Sequence, residues 1–488
     1  MRSSLRPLAL AATTLVAVAC SDSSSTGTGP VATGAATLSG TINVDRTLSK
    51  DTVYTLSGFV NVANGRTLTI PAGTRLVGDT NVAGSSLFIL RGARIIANGT
   101  AAAPIVFTSA RSPGNRKPGD WGGLILVGNG RNNRAGTVVI EGSDAAVPGG
   151  IAGGVQYNGG TDDNDNSGVL RYVRVEFAGY AVALDQELNS FSMGAIGRGT
   201  TMEYLQSMAG LDDSFEFWGG AVNARYLVSY ESGDDHFDTS EGYKGKVQFL
   251  IGLQSTLLPP RAGTGSLSSD PQGFEVDGCN GSGCTAPPGG NLQSSGATDG
   301  NWTMNVFSNF TLVGTGPGVV PAGGGYGAVL RRGTGGVYMN GIFARWPSQA
   351  ITIRDTTTNN RLLVDSLTLS NIYSIENAAT FDAGSATTFG TAATIGSAFT
   401  IAPGGVALSG GVFQATFPAA GQVPSVATLN WQPIAGAPVN TIGLNTFAGK
   451  PNIAARAGTF IQPTSFVGAV DPAAPTRWYE GWTVYYRN

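Results

Sequence analysis

Residues 202–220 read MEYLQSMAGLDDSFEFWGG, and residues 224–242 read ARYLVSYESGDDHFDTSEG. The two stretches align without gaps at an offset of 22 residues. Tyr204 then falls on Tyr226, and Phe215 falls on Phe237. A repeat period near 20 residues is typical of a solenoid, in which each coil buries its apolar face against its neighbours.

A weaker third copy, LRYVRVEFAG at 170–179, lies 32 residues before its match, which indicates a coil with a loop insertion. A β-propeller and a β-sandwich are the alternative all-β folds. Blades of a β-propeller repeat at about 40 residues or more, and a β-sandwich would not produce a gapless repeat with stacked identical residues. The offset therefore disfavours both folds.

Composition supports an all-β protein. The chain has 488 residues, of which 72 are Gly, while 41% are hydrophobic and only 12% are charged. Short apolar runs such as 67–70 and 86–90 alternate with Gly, Asn and Ser turns, which favours short strands and not long helices. We expect one right-handed parallel β-helix, a single-chain solenoid with loop insertions. The net charge of −3 gives no indication of a nucleic-acid partner.

The N-terminus indicates export. Residues 1–20 have a basic start, a short apolar run and a lipobox-like end at Cys20. We expect lipidation at Cys20, with ordinary cleavage and secretion as the alternative. Residues 21–42 are expected to form a flexible Ser/Thr/Gly tether, and residues 43–488 the β-helix.

Two departures from the regular coils are expected within the helix. Residues 255–300 are rich in Gly, Ser and Pro, which predicts one long inserted loop. Residues 470–488 end in WYEGWTVYY at 478–486, which predicts an aromatic cap on an open solenoid end.

The remaining cysteines, Cys279 and Cys284, are expected to pair in an oxidising compartment. Two unpaired thiols or a metal site are the alternatives, but no second Cys/His pair is present to complete a metal site.

Several short motifs lie along the chain: LTIPAGT at 68–74, APIVFTS at 103–109, GDWGGL at 119–124, DSFEFWGG at 213–220, LRRGT at 330–334 and GWT at 481–483. They resemble a family of bacterial surface proteins that is similar to the pectate-lyase-like right-handed β-helix superfamily. The resemblance implies the fold strongly and an activity weakly. The catalytic signatures of calcium-dependent lyases and galacturonases do not map as a full set onto this chain.

Acidic residues are concentrated in one region. Residues 160–241 contain 15 of the 32 Asp and Glu residues, against 4 Arg and no Lys. Asp163 and Asp165 begin DNDNSG, which resembles the start of a calcium loop. The twelfth position is Arg174, so this is not an EF-hand.

The repeat also stacks acidic residues. Strands of neighbouring coils lie about 4.8 Å apart, so aligned carboxylates repel unless they are solvated, protonated, paired with Arg or bound to a cation. Calcium is the candidate cofactor, and no organic cofactor is expected. The candidate metal ligands are Asp163, Asp165, Asp212, Asp213, Glu216, Asp234, Asp235, Asp238 and Glu241. Glu275 and Asp277 are candidates to extend the acidic face.

Catalysis has only weak candidates. Arg225, Lys244 or Lys246 could act as the base of a calcium-dependent lyase, and His236 as an acid or base. Two Asp residues could serve a glycoside hydrolase instead. His236 replaces Ser214 of the aligned coil, so it could equally be a turn residue.

The leading interpretation is an exported lipoprotein of the outer membrane or cell surface. It would present a rigid β-helix to a polysaccharide or surface glycan and contact the membrane only through its N-terminal lipid. The alternative is a secreted polysaccharide lyase or glycosidase that acts at the acidic patch.

Overall fold

The computed structural model describes residues 32–183, 186–279, 302–321, 323–381, 395–424 and 429–485. The predicted signal peptide, Cys20 and Cys284 lie outside these ranges. Twenty-three strands of the described residues pair in parallel and wind into a β-helix. None of the helices in these ranges has the length and apolar character needed to cross a membrane.

The strands are β1 (Gly34–Ile42), β2 (Arg46–Thr47), β3 (Thr52–Val62), β4 (Thr67–Ile70), β5 (Arg75–Gly78), β6 (Ser86–Ile89), β7 (Arg94–Asn98), β8 (Ile105–Ser109), β9 (Leu124–Val127), β10 (Gly168–Glu176), β11 (Ala181–Ala183), β12 (Gln186–Glu187), β13 (Phe191–Gly194), β14 (Thr201–Met208), β15 (Phe215–Trp218), β16 (Ala224–Tyr230), β17 (Phe237–Ser240), β18 (Lys246–Leu253), β19 (Phe274–Asp277), β20 (Val306–Val313), β21 (Ala328–Arg331), β22 (Gly336–Ala344), β23 (Thr352–Ile353), β24 (Leu367–Ile375) and β25 (Phe399–Ile401). The helices are α1 (Thr356–Leu363), α2 (Leu408–Gly411) and α3 (Pro451–Ala457), with a 3-10 turn at Pro438–Asn440.

The parallel strands form three faces. Face 1 contains β4, β7 and the first halves of the long strands from β10 to β24. Face 2 contains β5, β8 and the second halves of those long strands. Face 3 contains β6, β9, β13, β15, β17, β19, β21 and β23. The register confirms the offset of 22 residues, because Phe215 pairs with Phe237 and Leu205 with Leu227.

Aromatic residues and not glycines make several corners between face 1 and face 2. Tyr172, Tyr204, Tyr226 and Phe249 each have φ between 50° and 69° in the middle of a long strand. Their rings stack with centroids 4.4 to 5.1 Å apart. Stacking and packing therefore offset a backbone conformation that is strained for a bulky residue.

Glycine is required where two coils approach closely. Gly233 occupies the position of Leu211 in the preceding coil, and a Cβ on Gly233 would lie 1.9 Å from the carbonyl oxygen of Leu211. Only a residue without a side chain allows this close backbone approach at the turn.

The domain boundaries differ from the predicted ones at two places. The helix begins at Gly34, not at residue 43, because β1 pairs with β3 over eight positions. The predicted loop 255–300 contains β19, which pairs with β17 and β21 on face 3. Small and polar residues in these segments suggested loops, whereas pairing with neighbouring coils makes them strands.

The C-terminal aromatics lie against the side of the β-helix and not over an open end. Trp482 packs edge-on against Tyr172 and Tyr204, while Trp478 packs on Tyr226. Gln206 donates to the carbonyl of Val484 at 2.7 Å and accepts from its amide at 3.0 Å. The predicted terminal cap is therefore a lateral cover over the aromatic corner.

Candidate functional site

Face 3 carries carboxylates on its outer side. In β15 and β17 the Phe residues at 215, 217 and 237 point into the core, so the residues between and beyond them point outward. Glu216, Asp238 and Glu275 pair in register on three successive coils. Parallel stacking of the coils thus aligns three carboxyl groups along the helix axis.

The turns before β15 and β17 add two Asp pairs to the same surface. The Asp235 amide donates to Asp213 Oδ1 at 2.9 Å, and the Gln272 amide donates to Asp235 Oδ1 at 2.7 Å. Asn189 Oδ1 accepts from the Asp213 amide at 3.1 Å. Backbone amides of successive coils therefore fix the positions of Asp213 and Asp235.

These groups line a cavity of about 380 Å³, here called the acidic groove. Its other lining residues come from segments between β9 and β13 and from the ends of strands β15 and β17. The groove is lined by Arg134, Val139, Glu141, Tyr157, Glu187, Asp212, Asp213, Glu216, Trp218, Asp234, Asp235, Asp238, Ser240, Glu241, Glu275 and Asp277.

Burial and mutual repulsion raise the pKa of the groove carboxyls. Burial, followed by the charge of neighbouring acids, raises the pKa of Asp213, Glu216 and Asp235 well above the usual range. Burial raises the pKa of Asp234 to about 7. The protein groups around these carboxyls therefore do not fully stabilise their ionised forms.

Arginine side chains pair with Glu241, Glu275 and Asp277 of the groove wall. Arg331 Nε lies 2.8 Å from Asp277 and its guanidinium also pairs with Glu275. Arg134 lies 2.6 Å from Glu241. Among the ion pairs of the described residues, none involves the six central carboxylates, which are Asp212, Asp213, Glu216, Asp234, Asp235 and Asp238.

Three overlapping sets of carboxylates have the spacing of metal ligands. The oxygens within each set lie within 4.8 Å of one another. The sets are Asp212, Asp213 and Asp234; Asp213, Glu216 and Asp238; and Asp235, Asp238 and Glu275. Asp238 Oδ1 is also buried and has no hydrogen-bond partner among the described residues. An orphaned carboxylate oxygen within an all-oxygen donor set fits a hard divalent cation.

The structure separates the predicted metal ligands into three groups. The six central carboxylates lie together in the acidic groove. Glu241 also lines it, but this residue pairs with Arg134 and accepts from the Tyr157 hydroxyl. Asp163 and Asp165 lie elsewhere: Asp163 pairs with Arg131 at 3.0 Å, and Asp165 accepts from the Asn129 amide at 3.1 Å.

None of the four weak catalytic candidates lines the acidic groove. His236 is 1% exposed, hydrogen-bonds Ser229, and its pKa is lowered to about 3 by burial. Arg225 stacks 4.1 Å over the Phe460 ring of the C-terminal segment. Lys246 lies beside Gly458 of that segment, and Lys244 lines a second cavity.

Sequence reasoning did not identify seven groove residues, which are Arg134, Val139, Glu141, Tyr157, Glu187, Trp218 and Ser240. Arg134, Glu141, Tyr157 and Glu187 come from segments outside the 22-residue repeat. No spacing signal linked these residues to the repeat, because long insertions separate them from it. Glu275, which was expected to extend the acidic face, lines the groove as a metal-ligand candidate.

A comparison with protein families agrees with the observed architecture. A family model described as the pectate-lyase like beta helix domain matches residues 40–404, which is more than half of the chain. A crystal structure of the pectate lyase Pel9A aligns with 84% of this chain and 88% of that chain, at 11% identity and a TM-score of 0.29. No curated protein matches the chain. The chain therefore belongs to the pectate-lyase-like β-helix family.

Proposed function

We propose that the acidic groove binds Ca²⁺ and, with it, an anionic polysaccharide. The observation that carries this proposal is the cluster of six central carboxylates, three buried and three half-buried, which have no ion pair among the described residues. Isolated buried like charges are unfavourable at neutral pH, and bound cations relieve them. Families of this fold often act on polysaccharides, which supports a glycan as the ligand.

Calcium suits the donors because it takes 6–8 oxygen ligands in flexible geometry. Asp213, Glu216 and Asp238 would hold one ion, since their oxygens form one set with metal-ligand spacing. Asp235 and Glu275 share Asp238 with that set in an adjoining one. When bound, calcium supplies positive charge to the groove. The same ion can also coordinate a uronate carboxylate of the polymer.

Two aromatic side chains in the groove wall offer a small contact area to a sugar. Trp218 and Tyr157 both line it, and their ring centroids are 5.8 Å apart. Aromatic rings offer an apolar face together with a polar edge, which suits the faces and hydroxyls of a sugar. Trp218 is 7% exposed, so its available surface faces the groove.

Binding is favoured over lyase chemistry because a β-eliminating base is not evident. Among the residues that the structure describes, Arg134 is the one basic residue that lines the groove, and it pairs with Glu241. A general base requires reach to a substrate proton and an accessible neutral form, and an ion-paired guanidinium provides neither readily.

Glycoside hydrolysis is the second candidate function, and one observation favours it. Asp234 has a pKa of about 7, and a carboxyl with such a raised pKa can serve as the general acid beside an ionised partner.

The N-terminal signal supports presentation at the cell surface. Cys20 would be lipidated and residues 21–33 would hold the helix away from the membrane. Labelling cells with a fatty-acid analogue tests this part. Label should enter the wild-type chain and be absent from Cys20→Ser; equal labelling of both chains would contradict lipidation.

Affinity electrophoresis tests glycan binding directly. Polygalacturonate in the gel should retard the wild-type protein with Ca²⁺ and not with EDTA, whereas neutral dextran should not retard it. Asp213→Asn combined with Asp235→Asn should abolish retardation. The exposed Asp51→Asn is a matched control, because Asp51 lies outside the groove.

The same polymers test cleavage. Ultraviolet absorbance reports the unsaturated products of a lyase, and reducing-end release reports hydrolysis. Retardation without either product supports a binding protein. Hydrolysis that is lost in Asp234→Asn would establish the second candidate function instead.

A further inference from the structure

A chain of buried polar side chains lies inside the β-helix, behind the turns of the acidic groove. Its members, here called the interior chain, are each at most 1% exposed; they are His236, Ser229, Ser214 and Ser232. His236 Nδ1 lies 2.5 Å from Ser229 Oγ. Ser229 Oγ lies 2.7 Å from Ser214 Oγ, which lies 3.2 Å from Ser232 Oγ. Hydrogen bonds therefore connect the imidazole to Ser232 without a break.

The interior chain ends on the two turns that carry the Asp pairs of the groove. Ser232 Oγ lies 3.0 Å from the carbonyl oxygen of Asp212 and 2.7 Å from that of Asp235. The Asp235 carbonyl also accepts from the Ser214 amide at 2.9 Å. On the outer side of the same junction, the Asp235 amide donates to Asp213 Oδ1. Ser232 thus joins from the inside two turns that Asp213 joins from the outside.

The carbonyl oxygens at this end set the direction of the interior chain. A carbonyl oxygen can only accept, and a serine hydroxyl has one hydrogen to donate. Ser232 therefore donates to the turn carbonyls and accepts from Ser214. Ser214 in turn accepts from Ser229, and Ser229 accepts from Nδ1 of His236. This direction requires the ring proton on Nδ1.

The other ring nitrogen favours the same tautomer. Because burial lowers the pKa of His236, the ring is neutral at pH 7 and holds a single N–H. Nε2 is buried and has no hydrogen-bond partner among the described residues. A proton on Nε2 would be a buried donor without an acceptor, which is rarer in folded proteins than an acceptor without a donor.

We propose that the interior chain positions the Asp212 and Asp235 turns of the acidic groove, with His236 as the Nδ1–H donor at its far end. The chain restrains the carbonyls of both turns and, through the backbone, the carboxylates beside them. Occupation of the groove and the hydrogen bonds of the ring are then coupled in both directions. Support of a bound cation rests on the proposed function, whereas the tautomer and the joined turns do not.

The tautomer is measured on the untagged wild-type protein, because His236 is the only histidine of the 488 residues. Spectra of the protein labelled with ¹⁵N-histidine should show one ring, with Nδ1 of the pyrrole type and Nε2 of the pyridine type. A ring protonated mainly on Nε2 would overturn the inference.

The response of the ring to Ca²⁺ distinguishes positioning from a purely structural role. Calcium should shift the ring nitrogen resonances of the wild type, and the shift should be smaller in Ser232→Ala. The direct field of the ion acts on both proteins alike, so equal shifts, or none in a wild type that binds Ca²⁺, would contradict coupling through the interior chain.

Ser232→Ala removes the inner joint between the turns and leaves every groove carboxylate in place. Calcium affinity should fall by about fivefold, as expected for the loss of one hydrogen bond. Ser366→Ala is the matched control, because Ser366 is also 1% exposed and its hydroxyl has no partner among the described residues. Affinities of the two variants within about twofold of each other would overturn the positioning role.

Hydrogen exchange separates this inference from the proposed function. If the wild type does not bind Ca²⁺, the proposed function fails and exchange rates in EDTA decide. Amides of residues 210–214 and 233–236 should exchange faster in Ser232→Ala than in Ser366→Ala. Equal rates in the two variants would overturn the inference. If Ser232→Ala does not fold, the wild-type tautomer decides in its place.

Discussion

At the residue scale, the protein places carboxyl groups closer together than isolated charges tolerate. Like charges about 4.8 Å apart repel by roughly 3–4 kcal/mol at an effective dielectric constant of 20. Backbone amides hold Asp213 and Asp235 in this arrangement, at 2.9 and 2.7 Å. The coil geometry therefore fixes the acids before any ligand arrives, which is what a preorganised cation site requires.

Stability in EDTA should fall as pH rises. Burial raises the folded-state pKa of Asp213, Asp235 and Asp234 above the unfolded value of about 4, so the folded state retains protons that the unfolded state has released. The free energy of unfolding should decrease from about pH 4 upward through pH 7. Chemical denaturation in EDTA at several pH values measures it.

Calcium should cancel this decrease, because it stabilises the deprotonated carboxylates. Its stabilising effect should be larger at pH 8 than at pH 5. Asp213→Asn combined with Asp235→Asn should flatten the EDTA profile. A metal-free profile that rises steadily between pH 5 and pH 8 would show that the carboxyl pKa values are not raised.

At the element scale, the strand register confirms the prediction from the repeat, whereas the conformation of the corners was not predicted. Aligned Phe215 and Phe237 predicted the register of face 3 because identical residues must stack when coils repeat. The tyrosine corners were not predicted, because positive φ at Tyr204 is uncommon for a bulky residue and depends on stacking between coils. His236 was a weak catalytic candidate with a turn residue as the alternative, and the structure places its side chain inward beside Ser229.

Replacing a corner tyrosine separates backbone strain from stacking. Tyr204 has φ of 57° and stacks on Tyr172 and Tyr226 at 4.4 Å. Tyr204→Ala should lower the free energy of unfolding by about 3 kcal/mol through lost packing. Tyr204→Gly should be more stable than Tyr204→Ala by about 1 kcal/mol, because glycine accepts positive φ. Urea unfolding measures both; the opposite order would contradict a strained corner.

The close approach of two coils at Gly233 leaves no room for a side chain. Gly233→Ala places a Cβ 1.9 Å from the Leu211 carbonyl oxygen, so the coils must separate. We expect a loss of about 2 kcal/mol in thermal or urea unfolding. Gly404→Ala is the control, since a Cβ there meets no atom within 4 Å. Equal stability of the two variants would show that the turn at Gly233 relaxes freely.

At the scale of the whole molecule, the C-terminal segment fastens several coils from the side. Val484 pairs with Gln206, and Gln462 pairs with Gln248 through two hydrogen bonds of 2.7 and 3.0 Å. The aromatic content of the last residues predicted a cap on an open end of the solenoid. Their lateral position depends on contacts far apart in sequence, which no local pattern encodes.

Removing one ring of this cover should loosen it. Trp482 is fully buried against Tyr172 and Tyr204. Trp482→Ala should cost about 4 kcal/mol and speed proteolysis of the C-terminal segment. Leu363→Ala, at a side chain 57% exposed, should change stability little. Unchanged cleavage of Trp482→Ala would contradict a fastening role.

Calcium titration of the EDTA-treated, dialysed protein tests the central claim, a cation site in the acidic groove, most directly. Isothermal calorimetry near pH 8 should show saturable binding, together with a higher melting temperature. Both effects should disappear in Asp213→Asn combined with Asp235→Asn and remain in Asp51→Asn. No binding heat and no change in melting temperature for the wild type, or equal binding by the double variant, would contradict the account.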